Sequence, residues 1–192
     1  MICKIYDGKF DAKYLHDIFE VLEDKINYKA NNVANASTWP YFKTGTHKLL
    51  GSTIFSRKHL NFIDYVDNEN ALTFYRMFDF LCEILERDSR SVFLERIAIN
   101  LQHSGCDGTL HIDSEGPQDK GSYTLMVMPN PIWEKGWGGK FQIFSEDRSK
   151  MLEEHDYVPG RVILFPSHLP HRGLASTKKY IYRYSIVYGV RF

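Results

Sequence analysis

The chain has 192 residues, with 24 Lys plus Arg against 24 Asp plus Glu, so its formal net charge is zero. With 43% hydrophobic residues it can bury a core of its own, and a single domain over residues 1–192 is expected. Balanced charge, without a block of like charges, removes the broad electrostatic grip that duplex nucleic acid or an anionic membrane rewards, so neither is expected as a partner.

No apolar run approaches the roughly 20 residues needed to span a bilayer. The start, Met1-Ile2-Cys3-Lys4-Ile5, lacks the apolar segment of a signal peptide, and a soluble cytoplasmic protein is expected. Cys3, Cys82 and Cys106 are odd in number and form no C-x-x-C pair, which disfavours a disulfide framework and a thiolate zinc site.

From Asp11 to about Ile26, Leu15, Ile18, Phe19, Leu22 and Ile26 recur at helical spacing, with Asp11 as N-cap. Residues 27–67 mix turn signals (Trp39-Pro40, Lys43-Thr44-Gly45) with short strands. A second helix is predicted from about Asn70 to Glu86, where Phe74, Met77, Phe78, Leu81 and others cover more than one stripe and imply burial against a sheet. After Ser89 the periodicity changes to strands at about 92–102, 109–113, 123–128, 140–144, 161–165 and 180–190. Residues 1–89 thus read as a helical and mixed support region and 90–192 as a jelly-roll core, a mainly β fold with flanking α-helices.

Within that core, His111 and Asp113 stand two apart on a predicted strand, so their side chains share a face. Chance supplies about half such an H-x-D in a chain of this composition, so the pair alone decides nothing. His171 follows the strand Gly160–Phe165, and Arg183 and Ser185 share one face of the last strand. Two histidines and a carboxylate form the facial set that holds non-haem Fe(II) and leaves positions open. An arginine fork beside a hydroxyl suits a distal carboxylate.

The order and spacing resemble the Fe(II)/2-oxoglutarate-dependent oxygenases, in particular their prolyl-4-hydroxylase-like branch. The resemblance runs through His111-x-Asp113, Gly138-Gly139, Gly160 to Phe165, His171 with Gly173, and Arg183 with Ser185. It implies a double-stranded β-helix, cupin-like, with His111, Asp113 and His171 as catalytic metal ligands and Arg183 and Ser185 as cosubstrate contacts. It also implies Fe(II), 2-oxoglutarate and O2, with ascorbate as a candidate reductant. The expected reaction couples decarboxylation of 2-oxoglutarate, giving succinate and CO2, to hydroxylation of a C–H bond on a peptidyl residue such as proline. Phe141, Met126, Met128 and Leu164 are expected to wall the barrel interior.

Where the family often carries a tyrosine after the H-x-D strand, this chain has Met128; another family tyrosine falls near Leu101 or Gln102. The DNA-repair dealkylases of the superfamily carry a second arginine six residues after the first, and here that position is Gly189. His168 competes with His171, and the glycine two residues on favours His171. His16, His47, His59, His103 and His155 show no partner at ligand spacing. Alternative readings are hydroxylation of a free amino acid or other small molecule, and a non-catalytic cupin-like protein binding a metal or small acid.

Overall fold

The computed structural model describes residues 2–33, 48–59, 62–65, 68–114 and 121–192. The turn signals at Trp39-Pro40 and Lys43-Thr44-Gly45, and His47, lie outside the described residues.

The element order is β1 (Lys4–Tyr6), α1 (Ala12–Asp24), β2 (Lys29–Val33), β3 (Lys48–His59), β4 (Phe62–Tyr65), α2 (Asn68–Ile84), β5 (Phe93–Gln102), β6 (Ser122–Val127), β7 (Phe141–Phe144), β8 (Met151–His155), β9 (Val162–Pro166), β10 (His171–Gly173) and β11 (Arg183–Arg191). Two antiparallel sheets form from these strands. The larger has the order β1-β9-β6-β11-β5-β3-β2, with β4 paired to β3, and the smaller is β10-β7-β8. The result is a mainly β double-stranded β-helix whose two sheets do not close into a continuous barrel.

The helices form where the spacing predicts. Asp11 caps α1 by accepting from the Tyr14 amide at 2.7 Å, and the face carrying Leu15, Ile18 and Leu22 is buried. On α2, Phe74, Met77, Phe78, Leu81 and Cys82 are buried against the larger sheet. Tyr188 on β11 ties this layer down, since its hydroxyl donates to the Phe74 carbonyl at 3.0 Å and its ring stacks on Phe78.

Strand alternation divides β11 between two cores. Tyr184, Ile186, Tyr188 and Val190 face the helices, whereas Val187 faces the space between the sheets with Met126, Met128, Phe141, Ile143, Ile163 and Phe165. Leu164 is a correction: it is paired opposite Leu125 and packs in the helix-side core, because its neighbours Ile163 and Phe165 take the inward positions. Three strands, β1, β8 and β10, escape the sequence reading. The predicted strand at 109–113 is reduced to one isolated bridge, between His111 and His171.

Leu22 is fully buried between α1 and the sheet. Leu22→Ala should cost about 2–5 kcal/mol of unfolding free energy by transfer and cavity terms. Chemical denaturation checks this, and a loss below ~1 kcal/mol would show that the helix layer contributes little to the core.

Candidate metal centre and its oxyacid pocket

The bridge between His111 and His171 consists of two backbone hydrogen bonds, His111 N to His171 O at 3.1 Å and His171 N to His111 O at 2.8 Å. It sets the two imidazoles side by side, with ring centroids 4.4 Å apart. The Asp113 amide donates to the Ser167 carbonyl at 3.0 Å, which turns its carboxylate toward the pair. Donor atoms of His111, Asp113 and His171 all lie within 4.8 Å of one another.

The histidine tautomers follow from their neighbours. Nδ1 of His111 is 2.7 Å from the Thr109 carbonyl and Nδ1 of His171 is 2.8 Å from the Leu169 carbonyl. A carbonyl only accepts, so each Nδ1 carries the proton and each Nε2 presents a lone pair. These Nε2 atoms face Asp113, at 3.7 Å for His111 and 3.5 Å for His171. Two fixed imidazole acceptors and a carboxylate are the donor chemistry of a divalent transition-metal site, so the residues present fit Fe(II). His168 turns elsewhere, its Nε2 lying 3.7 Å from Glu146.

Burial, and then the neighbouring His171, lowers the His111 pKa to about 4. Burial of Asp113 opposes its ionisation, but Arg96, His171 and His111 together outweigh it and hold the carboxyl well below the usual range.

The second half of the site lies along β10. Gly173 packs on the Arg183 guanidinium so closely that an added Cβ would lie 2.9–3.0 Å from it and displace it. Arg183 is 1% exposed. Its Nε donates to the Gly139 carbonyl at 3.0 Å, its Nη1 to Gln102 Oε1 at 2.8 Å, and its guanidinium stands over the Tyr157 ring. Nη2 is buried without a hydrogen-bond partner. Among the described residues no carboxylate pairs with this cation. Burial pulls its pKa down to about 10, which leaves it charged at neutral pH. A buried guanidinium with a spare donor and no counter-ion is matched to an anion from outside, and so fits the distal carboxylate of 2-oxoglutarate. Ser185 is buried on the same face of β11, two residues on.

The loop from Trp133 to Gly139 folds back on itself. The Trp133 indole donates to the Gly138 carbonyl at 3.1 Å and packs on Tyr157 with centroids 4.2 Å apart. Gly139 has a φ of +77°, and a Cβ there would strike the indole at 2.5 Å.

A family model described as the 2OG-Fe(II) oxygenase superfamily matches residues 97–190, the stretch that holds every residue just described except Arg96. That stretch of the chain is a domain of the superfamily. It is an Fe(II)- and 2-oxoglutarate-dependent dioxygenase, with O2 as the second cosubstrate. Three solved structures similar to this oxygenase carry the fold comparison. An oxidoreductase of the 2OG-Fe(II) oxygenase family from Burkholderia pseudomallei is 16% identical, with TM-score 0.68 over 99% of this chain and 85% of that one. A prolyl-4-hydroxylase from Pseudomonas putida is 16% identical, with TM-score 0.59 over 99% and 92%. A prolyl hydroxylase from Trichoplax adhaerens, in complex with a hypoxia inducible factor oxygen degradation domain peptide fragment, is 13% identical, with TM-score 0.64 over 99% and 83%. At these identities the likeness is one of fold. No curated protein matches the oxygenase's sequence.

The oxygenase also uses residues that sequence reasoning missed. Gln102, near the place of a family tyrosine, clamps Arg183 through its Oε1, while its Nε2 donates to the Cys106 and Gly173 carbonyls at 3.0 Å each. Thr124 and Arg96 both hydrogen-bond Asp113. His155, read as having no partner at ligand spacing, lies 3.1 Å from Glu153 and groups with it and Cys3 within 4.8 Å. Glu153 in turn accepts from the amides of Ile2 and Cys3, so this group joins the chain start to β8. Burial and then Glu153 push the Cys3 thiol up, so it is a protonated donor in that cluster.

The depressed His111 pKa carries a pH signature. An unfolded histidine takes its proton near pH 6.5, whereas folded His111 resists until about pH 4. Between those values the unfolded state binds more protons, so stability rises with pH across the window and is lost as pH falls through it. Chelator-treated protein should therefore lose denaturation midpoint from about pH 6.5 to about pH 4, with a shallower slope in His111→Gln. Parallel slopes would remove His111 as the cause.

Proposed function

We propose that this oxygenase hydroxylates a C–H bond of a peptidyl residue, with proline the leading candidate. In this reading His111, Asp113 and His171 hold Fe(II), and Arg183, with Ser185, holds the distal carboxylate of 2-oxoglutarate. The observation that carries it is β10. One end presents the Nε2 of His171 to two further donors, and the other end lies against a buried guanidinium with a free donor.

When bound, the metal couples oxidative decarboxylation of 2-oxoglutarate, to succinate and CO2, to oxygen insertion into a substrate C–H bond. The protein's own contribution is orientation and exclusion of water. The Thr109 and Leu169 carbonyls hold the imidazoles in the tautomer that can ligate, and Gly139, Gln102 and Tyr157 hold the guanidinium still. Phe165 packs edge-on against His171 at 4.7 Å, and Phe141 lies 5.7 Å from it, so the side toward the core is apolar. Such a wall strengthens the Arg183–carboxylate attraction by excluding solvent.

The preference for a peptidyl substrate rests on the two prolyl hydroxylases among the similar folds, one of them bound to a peptide. Incubation with proline-containing peptides, Fe(II) and 2-oxoglutarate should add one oxygen atom to a peptide, detected by mass spectrometry. Modification of a free amino acid in place of any peptide would instead establish the small-molecule reading.

Two substitutions separate the halves of the site. His171→Ala should abolish conversion of 2-oxoglutarate to succinate, and retained wild-type turnover would sink the ligand assignment. Arg183→Ala should raise the 2-oxoglutarate concentration for half-maximal turnover by about tenfold or more, the scale of a charge-assisted contact. An unchanged requirement would remove Arg183 from the cosubstrate pocket.

A further inference from the structure

Asp113 lies in neither sheet, yet its carboxylate is held from both sides by the larger one. On that sheet Gly189 of β11 pairs with Thr124 of β6 on one flank and with Arg96 of β5 on the other. The three positions form one row across neighbouring strands, so their side-chain directions agree. Arg96 Nη2 donates to Asp113 Oδ1 at 2.9 Å, and Thr124 Oγ1 donates to Oδ2 at 2.9 Å. Thr124 Oγ1 is also 2.9 Å from Ser167 Oγ. Gly189, at the centre of the row, places no side chain between its two neighbours. A Cβ there would meet the Arg96 Cβ at 3.6 Å.

Arg96 is thus the one cation among the described residues in contact with the metal-centre cluster. The Asp113 side chain is 10% exposed and that of Arg96 38%, so the ion pair lies at the edge of the site, with the carboxylate on its buried side. An ionised carboxylate so enclosed needs a compensating charge when no metal is present. Arg96 supplies that charge from β5, the strand paired with β11 at Gly189.

We propose that Arg96 is a positioning residue of the metal centre: the built-in counter-ion of Asp113, which preserves the empty ligand set and weakens its grip on cations. The proposal rests on the reading of His111, Asp113 and His171 as ligands. Its physical content is a competition. Arg96 stabilises the metal-free site by pairing with Asp113, and it repels any cation that the same carboxylate receives. A residue of merely structural value would lower both fold stability and metal affinity when removed, whereas a counter-ion moves them in opposite directions.

The test titrates Co(II), a divalent probe that needs no turnover, into wild type, Arg96→Met, Arg96→Lys and His171→Ala by calorimetry. Thermal unfolding of the same chelator-treated proteins is measured alongside. Methionine keeps the apolar stem and removes charge and donors; lysine keeps the charge. Arg96→Met should bind Co(II) about tenfold or more tightly than wild type while its metal-free form melts lower. Arg96→Lys should lie nearer wild type in both. Unchanged or weaker Co(II) binding by Arg96→Met, or tighter binding that lysine does not reverse, would overturn the counter-ion role. Failure of the ligand reading looks different: His171→Ala would then bind Co(II) as wild type does.

Discussion

The site depends on two reciprocal backbone hydrogen bonds between His111 and His171. They join a segment that belongs to neither sheet to the short edge strand β10 of the smaller sheet. Everything with chemical meaning is placed relative to that bridge. It fixes the spacing of the imidazoles, it starts β10 so that Gly173 arrives against Arg183, and Asp113 follows two residues later. A larger sheet with a helical layer behind it supplies the rigidity, and the bridge turns that rigidity into donor atoms aimed at one point.

The two charges around the site are handled in opposite ways. Arg183 is buried with its cation spread over a carbonyl, an amide oxygen and an aromatic face, and among the described residues no anion pairs with it. That arrangement is poor for an isolated protein and good for one whose ligand brings the anion. Asp113 has its counter-charge built in. In the proposed reading the metal ligand is compensated and the cosubstrate receptor is not, which places the unfilled electrostatic demand where an acid would arrive.

The clustering of His111, Asp113 and His171, and Arg183 as a candidate, were legible in the sequence because their order and spacing lie in one chain segment, His111 to Arg183. Arg96 was not, since its contact with Asp113 arises from strand register. That register includes a shift between Gly189 and Val190 that no single-sequence pattern reveals. Register also misplaced Leu164, where one position decides between the two cores. Strand β8 was missed because Met151 to His155 is mostly exposed and carries two glutamates, a composition poor in strand signals. The helices were clear because their apolar stripes recur over several turns, and Asp11 marks where the first begins.

Trp133 sits with its indole on Tyr157, and Tyr157 presents its ring to the guanidinium of Arg183. An acid neutralising that guanidinium changes the field felt by a tyrosine in van der Waals range of a tryptophan. If Arg183 receives the acid as proposed, the indole of Trp133 stands two contacts from it, and its emission is expected to respond to occupancy without label or turnover.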